Sequence, residues 1–289
     1  MKFLDRFRKQ KPEAIEREAP VALAASGGQR FAVDRARMFD LERTRRLNGL
    51  FRTPRAARDE AWVEAFYDAA WYASIELGDP VHFSGPDGFS YYRLNLPRAN
   101  VAFDSQSLGN VARDCCERYA GAAIFAGADA AEPEFVFSAG LLDSLLRFDT
   151  PHGDPVDRSE SAQPHQDGAF RRETDDAGRE VLTVATAQKV LLGSPSADYL
   201  PAYTARGLAR YMTHIWGIDA PSVCLMVNPA MRPTRSLVIG RKRSSFASDE
   251  EIAGEMRRLQ WFLPEGRSLI AMPEDWTFDA MVPLAGLAG

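Results

Sequence analysis

The chain has 289 residues, of which 45 % are hydrophobic and 26 % charged, and a formal net charge of −5. This composition excludes wholesale disorder, and the acidic balance excludes a nucleic-acid binder that is basic over its whole surface. No apolar run reaches the ~18 residues that a membrane-spanning helix needs, and the length suits two domains better than one.

The first residues read MKFLDRFRKQK. Phe3, Leu4 and Phe7 fall at helical spacing among Lys2, Arg6, Arg8, Lys9 and Lys11. Short basic amphipathic segments of this kind lie on anionic membrane surfaces. No apolar run follows the charges, so this is not a secretory signal. Residues 1–55 carry a net +7 and residues 56–289 a net −12, the pattern of an interaction tail on an acidic body. Residues 1–36, with their mixture of Pro, Gly, Ser and charge, are expected to form a basic, disordered tail and linker.

Residues 37–149 are expected to form an N-terminal α+β domain. A short Arg-rich helix is predicted over 38–50. A second helix is predicted to open at Thr53-Pro54, run through Trp62, Phe66, Ala69 and Ala73, and stop at Gly78. Gly-Pro-Asp-Gly at 85–88 sits between two β-rich runs and predicts a hairpin over 81–95. The stripe Leu108, Val111, Ala112, Cys115, Tyr119 predicts a helix over 107–120 with Cys115 inward and Cys116 at the edge of that face. Strands at 122–125 and 134–138 and a helix ending near 148 complete the half.

Residues 150–180 are rich in Pro, Gly, Ser and charge and are expected to be a loop or linker. The C-terminal domain, 181–289, is the most regular part. It reads as a strand or hairpin over 181–193, a helix over 201–216, strands over 221–228 and 235–240, a helix opened by the capping box Ser248–Glu251, and a strand over 267–272. The fold class is α+β in two domains, the second with β-α-β-β-α-β order and an antiparallel or mixed sheet. No internal repeat is visible between the halves.

The three cysteines are Cys115, Cys116 and Cys224. An odd count with a vicinal pair and no CxxC excludes a disulfide framework and a zinc knuckle. It points to a reducing compartment, the cytoplasm, with possible attachment at the inner membrane face through residues 1–11. The sequence contains no GxSxG, GxGxxG or phosphate-binding loop, and Cys116 has no neighbouring His to act as a base. No catalytic residue and no cofactor are therefore assigned. The one constellation with metal-ligand chemistry is a pair of tetrads, Pro-His-Gly-Asp and Pro-His-Gln-Asp. They offer His152, Asp154, His165 and Asp167 as candidate metal ligands. Arg235 and the run Arg241-Lys242-Arg243 form a local basic cluster. His82 reads as a core histidine, and His214, on a stripe with Arg206 and Arg210, as a surface one.

The runs VLLGSPSADYLPAYTARGLARYM and APSVCLMVNPAMRPTRSLVIG resemble the C-terminal domain of the SseB family, the enhanced serine sensitivity proteins of bacteria. The matching positions are Gly193, Pro195, Leu208, Val223, Leu225 and Leu237–Gly240, within about residues 181–272. The resemblance implies a fold and no catalytic residue. The expected function is that of a bacterial, non-enzymatic binding or adaptor protein acting through a protein or small-ligand interface. Its partner is expected to be a protein, with weak contact to an anionic membrane surface through residues 1–11 and no specific nucleic acid. The alternative is a metal-dependent hydrolase or metal-binding protein that uses the two His-x-Asp segments.

Overall fold

Asp40 starts the first helix: its carboxylate accepts from the Glu42 and Arg43 amides and opens α1 (Leu41–Phe51). The computed structural model describes residues 30–34, 37–98, 100–161, 170–174, 180–184 and 190–288. The helix expected from Thr53 begins later. Pro54 leads into a single 3-10 turn, and Asp59 caps α2 (Glu60–Tyr72) by accepting from the Trp62 amide. A side chain that satisfies one of the free amides of the first turn decides where a helix starts. The same helix ends at Ala73, short of Gly78. There the Ser74 amide donates to Thr44 Oγ1, and Ala73 bridges to Asp40, so the chain turns into strand.

Strands β1 (Ile75–Ser84) and β2 (Ser90–Asn95) form the expected hairpin, with Gly88 at φ +86 in its turn. Then come β3 (Ser105–Gln106), α3 (Leu108–Glu117), β4 (Ala120–Phe125), β5 (Phe135–Phe137) and α4 (Ala139–Phe148). Ser107 and Ser138 cap the two helices. The sheet order is β3-β1-β2-β4-β5, with β2 and β4 parallel and the other pairs antiparallel. Burial alternates poorly on β4, whose six residues are all buried, as expected of a strand covered on both faces. Helices α1 to α4 and the sheet enclose one core built on Phe66, Trp71, Tyr72, Leu108 and Phe137.

The segment read as a loop from 150 contains α5 (Pro155–Ser161) and, further on, β6 (Phe170–Thr174), which pairs with β7 (Glu180–Val184). Pro155 at the first helical position and Asp154, which accepts from the Val156 amide, explain the start of α5. After it come β8 (Leu191–Gly193), α6 (Ala202–Trp216), β9 (Ser222–Val227), β10 (Arg235–Lys242), α7 (Asp249–Gln260) and β11 (Ser268–Met272). This is the predicted β-α-β-β-α-β order in a mixed sheet: β10–β11 is parallel, and β9 pairs antiparallel with β10. The outer edge of β9 takes β8 at one end and β12 (Val282–Pro283) at the other, and α8 (Leu284–Leu287) follows. Ser248 caps α7, and Glu251 reaches back to the Ala247 amide.

The halves share a plan that their residues do not announce. Apart from the two-residue edge strand β3, both run α-β-β-α-β, as α2-β1-β2-α3-β4 and as α6-β9-β10-α7-β11. In both, the two hairpin strands are antiparallel, and the second pairs in parallel with the strand after the second helix. The likeness is one of element order and strand direction.

The halves meet along a close seam. The Gly140 amide donates to the Trp261 carbonyl at 3.0 Å, and a Cβ on Gly140 would run into the Leu263 main chain. Phe89 of the N-terminal half stacks on Trp261 at 4.2 Å with rings 5° apart, and Trp261 Nε1 donates to Tyr91 Oη at 3.1 Å. Tyr203 donates to Asp143.

Candidate cleft at the seam

Three elements from opposite halves surround a cleft of about 420 Å3: the β1–β2 turn, the end of α3 and one face of α6. The hairpin turn brings Gly88, Phe89 and Ser90 to it. The end of α3 contributes Arg118 and Tyr119, and α6 presents Gly207, Arg210, Tyr211 and His214. Helical spacing explains the last group, since residues three and four apart share a face. Phe262, just beyond α7, and Ile215 complete the wall.

The two charged side chains of the lining, Arg118 and Arg210, have the same sign. His214 lies beside them, and the lining has no carboxylate, in a chain with more Asp and Glu than Lys and Arg. Arg118 pairs with Asp114 at 2.9 Å. Arg210 faces the Tyr119 ring at 6.0 Å and has no carboxylate partner among the described residues. The floor is aromatic: Tyr211 lies 6.2 Å from Phe89 and 5.9 Å from Phe262. Burial, and then the Glu255 carboxylate that accepts its hydroxyl, push the Tyr211 phenol up to about 12. Tyr119 holds φ +58, the left-handed region that L residues seldom enter. Its ring is fixed from the other half by Arg206, whose Nε donates to its hydroxyl at 3.2 Å.

The candidate metal ligands fall elsewhere. His165 and Asp167 lie outside the described residues. His152 and Asp154 are described and face different neighbours. His152 Nε2 lies 3.4 Å from Glu64 and its Nδ1 3.9 Å from Glu265. Asp154 turns to Arg235 at 3.4 Å and Arg267 at 3.6 Å. Among the described residues no group of three His, Cys, Asp or Glu is arranged to hold a metal ion.

Asp154 belongs to a buried ionic cluster that pins α5 to the C-terminal sheet. Arg235 donates to Asp157 at 2.6 and 3.0 Å, and Arg267 lies 3.6 Å from the same carboxylate. The guanidinium of Arg267 stacks on Tyr199 at 4.0 Å. Burial lowers the pKa of Arg267 and raises that of Asp157, in each case outweighing the opposite charges beside it. Arg235 is thus a structural ion-pair partner.

The remaining sequence-level candidates resolve as packing. Cys115 and Cys116 are both buried. Cys116 is therefore not at an accessible edge, because α4 covers it and the Ala139 carbonyl lies 3.7 Å from its sulfur. Burial raises both thiol pKa values. In the basic run, Arg241 stacks on Phe246, Lys242 donates to the Glu274 carbonyl and Arg243 pairs with Asp249. His82, expected in the core, is exposed, with its ring edge-on to Tyr92 at 4.2 Å. His214 is exposed as expected.

Sequence reasoning saw Arg206, Arg210 and His214 as a polar stripe on α6 but had no means of placing Phe89 and Arg118 opposite it. Those residues are over 80 positions away, and only the packing of one half on the other brings them together. Among the described residues no helix is long and apolar enough to cross a membrane. Comparison with family models, curated proteins and solved structures finds no match.

Proposed function

We propose that this chain is a non-enzymatic binding protein that acts in the cytoplasm and takes its ligand in the cleft at the seam. The carrying observation is a lining with cations at the rim, aromatic rings at the floor and no carboxylate. Aromatic walls with a few convergent polar groups are what binding sites are made of. Three features support binding over turnover. The buried thiols are held protonated. His214 has no carboxylate to orient it among the described residues. Asp154, one of the candidate metal ligands, is occupied by two arginines. The resemblance of residues 181–272 to the SseB family is part of the same proposal, since that family implies a fold with no assigned catalytic residue.

The test is a panel of small anions and acidic peptides titrated calorimetrically against the full chain, with each ligand recovered and checked by mass spectrometry. The expected result is saturable binding that weakens in Arg210→Ala, with the ligand recovered unchanged. Conversion of the ligand, or binding that ignores Arg210, would reject the proposal.

A further inference from the structure

We infer that the cleft is built for a small planar anion, an aromatic ring carrying a carboxylate or a phosphate. This inference rests on the binding reading above and deepens it. Size sets the first limit. About 420 Å3 lies toward the lower end of the volumes that enclose small ligands, and it suits one ring system with one charged group.

Charge sets the second limit. Arg118 and Arg210 come from different halves and converge with His214 on one space, and no acid lines it. A guanidinium presents paired N–H donors that match a carboxylate or phosphate edge. Arg210 is without a carboxylate among the described residues, and Arg118 is 63 % exposed in spite of its pairing with Asp114. Both keep donors for an incoming anion.

Shape sets the third limit. One face of Phe89 is covered by Trp261, and the half-buried ring lines the cleft with what remains. Tyr211 inclines at 26° to Phe89 across the floor. Ring pairs that stack or meet edge-on gain beyond the area they bury, so a flat ligand uses this floor best. Tyr119, the residue after the C-cap of α3, takes the left-handed backbone with which helices commonly end, and Arg206 of the other half holds its hydroxyl at the wall of the cleft. Gly207 lets α6 lie close against this wall, since a Cβ there would stand 3.0 Å from Phe262 and 3.2 Å from Tyr119.

The experiment is a calorimetric and tryptophan-fluorescence titration of the full chain with four probes: adenosine 5′-monophosphate, indole-3-acetate, adenosine and inorganic phosphate. Fluorescence is read for adenosine 5′-monophosphate, adenosine and phosphate, because indole-3-acetate itself emits. Binding of either aromatic anion, at least about tenfold tighter than adenosine or phosphate alone, supports the inference; the anion that binds identifies phosphate or carboxylate as the source. Arg118→Ala and Arg210→Ala, both at exposed positions, are each expected to weaken that binding about tenfold, the loss of a charge-assisted hydrogen bond. Arg257→Ala, which removes the same charge from the outer face of α7, should change it less than about twofold. Equal binding of adenosine or phosphate, or indifference to both cleft arginines, overturns the inference. An acidic peptide that binds through Arg210 while neither aromatic anion does so overturns it too, and leaves the binding function standing. Failure of anions and peptides alike overturns both.

Discussion

Arg267 shows what a single buried charge does in this molecule. Its side chain is fully buried, and its guanidinium lies 3.6 Å from the Asp154 and Asp157 carboxylates and over the Tyr199 ring, with no hydrogen bond of its own among the described residues. Removing one member of such a cluster strands the others, which costs about 3–5 kcal/mol. Arg267→Ala is therefore expected to lower the urea midpoint sharply, whereas Arg243→Ala, on an exposed pair, should leave it within about 0.5 kcal/mol. Equal effects would mean that the cluster is not what holds α5. The buried acids make a second prediction. Burial raises the pKa of Cys115, Cys116, Tyr199 and Tyr211 above their ordinary values of 9.0 and 10.0, the two tyrosines to about 12. The folded state thus keeps protons that the unfolded chain releases. Its stability is complete below pH ~9 and falls as pH rises through the raised values, most for the buried thiols and Tyr199 and less for the half-exposed Tyr211, whose shift solvent screens. Urea midpoints measured from pH 7 to 11 should decline from about pH 9, and alkylation at pH 8 should find neither vicinal thiol until denaturant is added. Ready labelling of Cys116 in the native protein would contradict its burial under α4.

At the scale of elements, the tightest constraint is on α4. Gly140 brings its main chain against that of Leu263, with no room for a Cβ. Gly140→Ala forces backbone apart and is expected to cost about 1–3 kcal/mol, although alanine is the better helix former. A thermal melt with an unchanged or raised midpoint would refute the contact. Elements were legible where signals are local. The capping box at Ser248 and the glycines of the 85–88 turn mark their own boundaries, and the element order of the C-terminal half follows from its apolar runs. The start of α2 was misread because Thr53-Pro54 and Asp59 both qualify as caps; in the fold Asp59 caps the helix, and Trp62 Nε1 of its first turn donates to the Leu50 carbonyl at 3.0 Å. Ile215 continues the helical spacing of Leu208 and Met212. It stands 58 % exposed in the lining of the cleft. The candidate site was the least legible part, since its walls come from both halves.

At the scale of the molecule, the seam joins the halves main chain to main chain, through Gly140 and Trp261 and through Gly153 against Glu265. The full chain is accordingly expected to unfold in a single transition, with the same midpoint by tryptophan fluorescence and by far-ultraviolet circular dichroism. Two separated transitions would show that the halves are only tethered. The charge of the chain makes a further expectation. Residues 1–11, which lie outside the described residues, should give the chain a weak affinity for anionic vesicles. Sedimentation with such vesicles should fall when these residues are deleted or when salt is raised, because exposed attraction fades over ~8 Å at physiological ionic strength. Unaltered sedimentation after the deletion would remove the membrane from the list of partners.

The twofold plan of α-β-β-α-β also bears on dilution. Two units that would otherwise meet by collision are joined in one polypeptide, so each faces the other at a fixed effective concentration. The cleft between them therefore assembles to the same extent in a dilute cell as in a concentrated solution. Supplying the chain as two pieces parted between residues 161 and 162 removes that advantage. The pieces should still find each other through Trp261, Phe89 and Gly140, but their melting point should now rise with protein concentration, as mass action requires of any two-component fold. In the intact chain the melting point should not depend on concentration, and the cleft arginines, one from each unit, stay opposed however little protein is present.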